Sequence, residues 1–185
     1  MNVFDFDDTI YEGDSTAHFC LYCYKRLRDK SGLLPKAAAV YIAHLAGRKS
    51  ITEVKEALFS FLPRVKNIDA VVRRFWKAHE KNIKPWYSER RSESDVVISA
   101  SPEFLLAPAC KKLGVALIGS RVDKYTGRFD GVNNSKEEKV RRFREVFGNA
   151  EIDEFYSDSK NDDPMAKLAG KAYQVDGNRI SPWRF

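Results

Sequence analysis

Segments with the pattern of a β-strand are unevenly spaced along this sequence, and their spacing constrains the fold. Residues 2–6 have the pattern of a short strand, and the β-branched run at 95–100 suits a buried parallel strand. Residues 7–94 show almost no strand pattern. Beyond them strands and helices alternate, which favours a parallel sheet with helices on both faces. The sequence therefore predicts an α/β fold: a doubly wound parallel sheet with a helical block inserted after its first strand.

The other predicted elements have definite bounds. Strands are expected within 115–123, at 152–157 and at 172–176, and helices at 103–113, 136–147 and 164–170. The inserted block is expected to hold helices at 15–30, 35–46, 51–62 and 69–82. Capping-box patterns at Ser50–Glu53 and Ser135–Glu138 predict two of the helix starts. Pro164 suits the first turn of a helix.

The inserted block follows the carboxyl end of a strand, and this position suggests a function. Open α/β sheets bind their ligands at that edge. We therefore expect the block to form a lid over a site. The predicted division is a core at 1–14 and 88–185 and a helical cap at 15–87.

The overall composition is that of an ordinary globular protein. The chain has 185 residues, of which 43% are hydrophobic and 31% are charged. No apolar run approaches the ~20 residues that span a bilayer, and the acidic N-terminus lacks the pattern of a signal peptide. We therefore expect a cytoplasmic protein without a membrane partner.

The three cysteines are too few, and odd in number, for a disulfide framework. Cys20 and Cys23 have the CxxC spacing of redox and zinc sites, but no second CxxC or histidine pair accompanies them. The alternative, which we favour, is a pair of buried thiols on one face of a helix.

The charge of the chain favours anionic partners. The net charge is +6 and the pI is about 9.2. The basic residues are dispersed and interleaved with Glu and Asp, as on a solvated surface. Such a surface favours anionic substrates, of which a small phosphorylated metabolite is one class, and we expect no nucleic acid.

Carboxylates cluster where two of the predicted strands end. Asp5 and Asp7 follow the first strand, and Asp158 and Asp162 follow a later one. Parallel strands end at the same edge, where these carboxylates would repel one another unless a cation lay among them. The first pair could bind a divalent cation, perform covalent and acid–base chemistry, or lie in a solvated loop. Asp8 is expected to point elsewhere or to cap the turn.

Other residues could complete a phosphate site. Ser99 offers a hydroxyl at the end of the second strand. The backbone N–H groups of Ala100 and Ser101 precede a predicted helix, where anions are favoured. Lys139 can supply a cation from a later helix, with Lys136, one turn earlier, as its competitor.

Together these motifs resemble those of the haloacid dehalogenase-like (HAD) hydrolase superfamily, and the resemblance covers essentially the whole chain. The matching segments are Asp5-Phe-Asp7-Asp-Thr9 (its DxDxT motif), Val96-Val-Ile-Ser99 (its strand ending in Ser or Thr), Lys139 (its lysine motif) and Asp158-Ser-Lys-Asn-Asp162 (its paired acids). The inserted block resembles a C1-type cap. The phosphoserine-phosphatase-like branch, subfamily IB, is indicated by Ser99-Ala-Ser-Pro-Glu103, Thr126-Gly127 and Gly131.

The resemblance implies a Mg²⁺-dependent phosphatase that hydrolyses a small phosphomonoester through an aspartyl-phosphate intermediate. Asp5 would be the nucleophile, and Asp7 the general acid and base. Mg²⁺ would be held by Asp5, Asp158 and the backbone carbonyl of Asp7, with Asp162 supporting a bound water. The phosphoryl group would be bound by Ser99, Ala100 and Lys139.

Some positions depart from the pattern of phosphoserine phosphatase. The Ser-Gly-Gly that typically follows its second strand is Ser99-Ala-Ser here, and Lys136 stands where a glycine is common. Asp14 is the nearest counterpart of a glutamate that reads the substrate amino group, but it could instead cap the helix that starts near Ser15. The substrate and the oligomeric state therefore stay open. Two other functions also stay open: a phosphotransferase or mutase on the same site, and a basic binding module without turnover.

Overall fold

The fold is built on one six-stranded sheet. The computed structural model describes residues 1–27 and 32–185. The strands are β1 (Asn2–Phe4), β2 (Val96–Pro102), β3 (Ala116–Ser120), β4 (Ile152–Ser157), β5 (Ala169–Asp176) and β6 (Arg179–Pro182). Their order in the sheet is β3-β2-β1-β4-β5-β6, with β1 to β5 parallel and β6 antiparallel to β5.

Most of the helices lie between β1 and β2. This insert contains α1 (Ser15–Arg26), α2 (Leu33–Leu45), α3 (Ile51–Leu58), α4 (Ile68–His79) and α5 (Pro85–Arg90), with 3₁₀ helices at Phe59–Arg64 and Glu80–Asn82. The later helices are α6 (Glu103–Leu113), α7 (Glu137–Phe147) and α8 (Asp163–Ala166), with a 3₁₀ helix at Lys160–Asp162. None of these described helices combines the length and the apolar character that crossing a membrane requires.

Helices cover both faces of the sheet because alternate strand residues point to opposite sides. Val3 and Phe155 lie in a core that includes Phe143 of α7. Their neighbours Phe4 and Tyr156 lie in a second core, which includes residues of α6 and of the insert. The predicted doubly wound α/β fold with helices inserted after the first strand is confirmed.

The insert packs through aromatic side chains that recur at helical spacing. Phe75 of α4 is buried, and its ring centroid lies 5.4 Å from that of Phe19 of α1. The indole of Trp76 donates a hydrogen bond to the carbonyl oxygen of Leu105 in α6 at 2.6 Å, which ties the insert to the core. The division of the chain at residues 14/15 and 87/88 stays a prediction.

A close backbone approach joins the insert to the segment that follows β3. Gly127 has a φ of +75°, and a Cβ atom at this position would lie 2.7 Å from both the Cβ and the carbonyl oxygen of Phe59. Next to this contact, the Phe129 N–H donates to the Glu56 carboxyl of α3 at 2.9 Å. Only glycine combines this backbone conformation with so short a separation.

Several predicted helix bounds differ from the observed ones. The helix predicted at 15–30 ends at Arg26, and residues 28–31 lie outside the described part of the chain. The helix predicted at 51–62 becomes 3₁₀ from Phe59, in a stretch that contains Pro63, which cannot donate a backbone hydrogen bond. The helix predicted at 69–82 likewise becomes 3₁₀ after His79.

The C-terminal part was predicted least accurately. The helix predicted at 164–170 ends at Ala166, and Ala169 already pairs with Ile152 in the sheet. Strand β5 is therefore longer than the predicted 172–176, and β6 was not predicted. Ala169 and Gly170 have weak strand propensity, so the pairing with β4 decides their conformation.

One of the two predicted capping boxes is confirmed and the other is wrong. Ser50 Oγ accepts the Glu53 N–H at 3.2 Å, and the Glu53 carboxyl accepts the Ser50 N–H at 2.8 Å. Helix α7 instead follows Lys136, which has a φ of +56° and no capping side chain. The Ser135 hydroxyl accepts a hydrogen bond from the Asn133 side-chain amide, so it is used within its own loop.

Candidate active site

The carboxyl ends of β1, β2 and β4 surround one cavity of about 230 Å³. The Asp5 N–H donates to the Tyr156 carbonyl oxygen of β4 at 2.8 Å, which places Asp5 directly after the paired part of β1. Parallel strands bring their following residues to the same edge. The lining of the cavity includes every residue predicted for the site: Asp5, Asp7, Asp14, Ser99, Ala100, Lys139, Asp158 and Asp162.

Lys139, and not Lys136, lies among the carboxylates. Its ammonium is 2.7 Å from Asp5 Oδ1 and 2.6 Å from Asp162 Oδ2. Lys139 is 3% exposed, whereas Lys136 is exposed at the start of α7. Lys139 lies in the first turn of α7, whereas Lys136 precedes the helix with a φ of +56°, outside the helical geometry that directs Lys139 inward.

Burial dominates the electrostatics of Asp5. It raises the pKa of this carboxyl to about 8, against the opposing effect of the Lys139 ammonium, while the charges of Asp162 and Asp7 raise the pKa further. The pKa of Lys139 is raised above its usual value, because the charges of Asp5 and Asp162 outweigh the burial that would lower it. Acidic side chains also outnumber basic ones in the lining of the cavity.

This charge balance and the type of donor atoms fit a divalent cation. Asp5, Asp7 and Asp158 all line the cavity. The ligands expected from the family resemblance are the carboxylates of Asp5 and Asp158 and the backbone carbonyl of Asp7. Hard cations such as Mg²⁺ bind oxygen ligands of this kind and usually keep several waters. In residues 1–27 and 32–185, no three His, Cys, Asp or Glu side chains are grouped as a metal site. The case for a divalent cation therefore depends on the carboxylates of Asp5 and Asp158 and on the backbone carbonyl of Asp7.

The fourth motif is held to the first by hydrogen bonds. Thr9 Oγ1 accepts the Asp158 N–H at 3.0 Å and lies 3.4 Å from Asp158 Oδ1. Ser157 Oγ donates to Asp162 Oδ2 at 2.7 Å, on the oxygen that also contacts Lys139. Burial raises the pKa of Asp158. These contacts fix the two acids in the positions that the motif spacing predicted.

Asp7 is held differently from Asp5. Its Oδ1 accepts the Ser15 N–H at 2.6 Å, and its Oδ2 accepts the Ser101 hydroxyl at 2.5 Å. Burial raises the pKa of Asp7, as does the nearby charge of Asp14, while the two hydrogen bonds lower it. Asp5 thus faces an ammonium, whereas Asp7 faces neutral donors.

The segment after Ser99 differs from its predicted arrangement in one respect. Strand β2 continues to Pro102 with an irregular register between Ile98 and Pro102. The Ser101 N–H donates to Ser99 Oγ at 3.0 Å, so this amide is already used within the irregular end of β2. Ala100 lines the cavity, as predicted.

Asp14 and Asp8 both shape the turn into α1. Asp14 accepts the Ala17 N–H at 2.8 Å, which confirms that it caps α1, and it also lines the cavity. Asp8 has a φ of +52°, and its side chain accepts the Gly13 N–H at 3.0 Å, which confirms that it caps the turn.

Comparison with known proteins assigns the family. The chain matches the haloacid dehalogenase-like hydrolase family over residues 3–167. The protein belongs to this family. The predicted hydrolase class is thereby confirmed. The motifs that suggested this class contain residues that line the cavity described above.

Two curated relatives resemble nearly the whole chain. Protein CicA of Caulobacter vibrioides is 29% identical over 203 residues, which cover 93% of this chain and 84% of the relative. A histidinol-phosphatase of Neisseria meningitidis is 26% identical over 210 residues, which cover 95% of this chain and 90% of the relative.

Solved structures confirm the HAD fold. A Bordetella pertussis protein of unknown function has a TM-score of 0.74 at 20% identity, with 93% of this chain and 87% of that chain covered. A phosphoserine phosphohydrolase-like protein of Francisella tularensis has a TM-score of 0.57 at 16% identity, with 93% and 86% covered.

Sequence reasoning missed one cation at the HAD site. Lys55 of α3 lines the cavity, and its ammonium donates to the Ala100 carbonyl oxygen at 2.9 Å and to Asn133 Oδ1 at 2.7 Å. Burial lowers its pKa, while Asp14 and Asp7 oppose this effect. Lys55 lies on a charged, amphipathic helix, and no spacing pattern distinguishes it from the solvated lysines around it.

The cysteines do not contribute to the HAD site. Cys20, Cys23 and Cys110 are buried free thiols. Burial raises the pKa of each to about 12, which disfavours the reactive thiolate. The interpretation of the CxxC spacing as buried thiols on a helix is confirmed.

Proposed function

We propose that this HAD-family protein is a phosphatase that hydrolyses a small phosphomonoester through an aspartyl-phosphate on Asp5. The observation that carries the proposal is the difference between two acids in one cavity. Asp5 contacts the Lys139 ammonium at 2.7 Å, whereas Asp7 is held by the Ser15 N–H and the Ser101 hydroxyl. Acids in such different environments can take different roles, one as nucleophile and one as proton carrier.

The proposed reaction has two steps. In the first, an Asp5 carboxylate oxygen forms a bond to phosphorus, the bond from phosphorus to the alcohol oxygen breaks, and Asp7 gives its proton to that oxygen. In the second, Asp7 takes a proton from a water molecule that attacks the phosphorus, and the Asp5 carboxylate is released with inorganic phosphate. Splitting the reaction into two displacements suits a carboxylate nucleophile.

Other side chains would bind the phosphoryl oxygens. Lys139, Ser99 and Ala100 line the cavity together with Asp5, and Ala100 would contribute its backbone N–H. A buried ammonium next to developing negative charge stabilises the transition state more than it would in water. Mg²⁺ would be held by Asp5, Asp158 and the Asp7 carbonyl, with Asp162 supporting a bound water, and it would supply charge neutralisation.

The substrate is proposed to be small. The cavity measures about 230 Å³, which suits a compact phosphorylated metabolite rather than a polymer. One curated relative is a histidinol-phosphatase, which makes amino-bearing phosphomonoesters the first compounds to test. Asp14 lines the cavity and stays a candidate for contacting such an amino group. A cytoplasmic location and the lack of nucleic-acid and membrane partners stay predictions from the sequence.

The test is the hydrolysis of p-nitrophenyl phosphate with and without Mg²⁺. We expect activity that depends on Mg²⁺ and is lost in Asp5→Asn. Asp8→Asn is the matched control, because it makes the same chemical change three residues later and keeps the oxygen that accepts the Gly13 N–H. Substantial hydrolysis by Asp5→Asn would contradict the proposed nucleophile.

The alternatives have separate readouts in the same assay. A phosphotransferase or mutase would divert phosphate to added acceptor alcohols and lower the release of inorganic phosphate. A basic binding module would shift the mobility of a nucleic acid and show no hydrolysis. A screen of phosphorylated metabolites against the active enzyme would then identify the substrate.

A further inference from the structure

A chain of buried hydroxyl groups contacts Asp7, and the reaction outlined above does not use it. Ser101 Oγ lies 2.5 Å from Asp7 Oδ2, and Thr16 Oγ1 lies 2.8 Å from Ser101 Oγ. Ser101 is 2% exposed and Thr16 is 6% exposed. The two hydroxyls come from β2 and α1, so the chain connects a core strand to the first helix of the insert.

The number of available protons determines the direction of these hydrogen bonds. An ionised carboxylate only accepts, and a serine hydroxyl has one proton to donate. Asp7 is ionised once its proton has passed to the leaving oxygen, and in that state the Ser101 proton therefore goes to Asp7. The Thr16 hydroxyl must then donate to Ser101 Oγ, and Ser15 Oγ can donate weakly to the same atom at 3.4 Å. Thr16 thus keeps the Ser101 hydroxyl turned toward Asp7.

The other oxygen of Asp7 is held by the backbone. The Ser15 N–H donates to Asp7 Oδ1 at 2.6 Å, from the first residue of α1. Asp14 caps a different amide of α1, the Ala17 N–H, so the two acids divide the first turn of the helix between them. One donor on each oxygen fixes both the position and the plane of the Asp7 carboxyl.

We propose that Ser101, supported by Thr16, is a positioning residue that orients the Asp7 carboxyl toward the leaving oxygen of the substrate. The inference rests on the proposed acid–base role of Asp7. In the step concerned, the bond from phosphorus to the alcohol oxygen breaks while Asp7 passes its proton to that oxygen. A displacement of ~1 Å can cost a catalytic group ~100-fold in rate, so the orientation of Asp7 affects this transfer directly.

Leaving groups of different basicity distinguish positioning from a purely structural role. Phenyl phosphate and p-nitrophenyl phosphate are similar in shape, but phenolate needs a proton far more than p-nitrophenolate does. The ratio kcat/KM reports the steps up to the departure of the leaving group. It is therefore insensitive to slow hydrolysis of the aspartyl-phosphate.

The experiment compares the two substrates in Ser101→Ala. We expect kcat/KM to fall ~10-fold or more for phenyl phosphate and less than ~3-fold for p-nitrophenyl phosphate, since a general acid contributes ~100-fold or more only where the leaving group requires it. Ser101→Thr, which keeps the hydroxyl, should restore most of the phenyl phosphate activity. Ser135→Ala is the matched control, because Ser135 is another residue of the cavity lining and its hydroxyl is hydrogen-bonded to the Asn133 side chain instead of Asp7.

Two results would overturn the inference: an equal loss for both substrates, or no loss for phenyl phosphate. Thr16→Val is the second test in case Ser101→Ala does not fold, because it removes only the supporting hydroxyl. It should also lower kcat/KM more for phenyl phosphate than for p-nitrophenyl phosphate. A wild-type protein that hydrolyses neither substrate would contradict the proposed function itself. That outcome is distinct from failure of the role of Ser101.

Discussion

The ammonium of Lys55 lies 2.9 Å from the carbonyl oxygen of Ala100, so the inserted helix α3 contacts the core at the residue that follows Ser99. The same ammonium lies 2.7 Å from Asn133 Oδ1, in the loop before α7. One side chain of the insert thus joins the segments that carry Ser99 and Lys139. This contact holds the insert over the candidate site.

Replacing Lys55 should therefore destabilise the protein. Lys55→Met leaves two acceptors without their charged donor, and we expect the free energy of unfolding to fall by about 2 kcal/mol. Urea unfolding measures this change. Lys49→Met is the control, because Lys49 forms an exposed pair with Glu53 and should change the stability by less than ~0.5 kcal/mol. Equal effects in both variants would argue against the proposed contact.

The two lysines of the α7 segment should behave differently. Lys139→Met removes the only described ammonium in contact with Asp5 and Asp162, and removing one partner of a buried pair costs about 3 kcal/mol or more. We expect loss of activity together with reduced stability. Lys136→Met should leave both nearly unchanged. An inactive Lys136→Met with an active Lys139→Met would reverse the assignment of the phosphate lysine.

Mg²⁺ should stabilise the folded protein. A ligand present at ~100 times its Kd stabilises a protein by ~2.7 kcal/mol, so the melting temperature should rise with the concentration of MgCl₂. Asp158→Asn should reduce this rise because it removes one of the two carboxylates proposed as ligands. NaCl at equal ionic strength is the control for salt. A rise that is as large in Asp158→Asn would contradict the proposed ligands.

The contact between Gly127 and Phe59 can be tested with a pair of alanine substitutions. Gly127→Ala combines a φ of +75° with a Cβ only 2.7 Å from Phe59 atoms, and we expect a loss of ~2–3 kcal/mol. Gly131→Ala has a φ of +95° but nothing within 4 Å of its Cβ, so it measures the backbone cost alone, ~1 kcal/mol. Chemical denaturation compares the two. Similar losses would show that the close approach contributes little.

The cysteines should be unreactive in the folded protein. With the thiol pKa raised to about 12, only a very small fraction is thiolate at pH 8, and the side chains are also buried. Iodoacetamide should therefore modify the three thiols slowly in buffer and rapidly in urea. Mass spectrometry counts the modified residues. Rapid modification of Cys20 or Cys23 without urea would contradict their burial.

The sequence by itself determined the fold class and the position of the candidate site. A β-branched run marks a buried strand, alternation of strands and helices marks a parallel sheet, and acids that follow Phe4 and Ser157 must meet at one edge of that sheet. The capping box at Ser50 was equally predictable, because its two hydrogen bonds join residues three apart. All of these features depend on local patterns.

Only the tertiary structure decided the contacts between distant segments. It selected Lys139 over Lys136, turned Ala169 from helix into strand, and brought Lys55 to the Ala100 carbonyl. It also placed the Ser101 hydroxyl against Asp7, 94 positions earlier in the chain. The physical reason is that hydrogen bonds and burial depend on which groups meet in space, and the packing of segments that are far apart in the chain decides that.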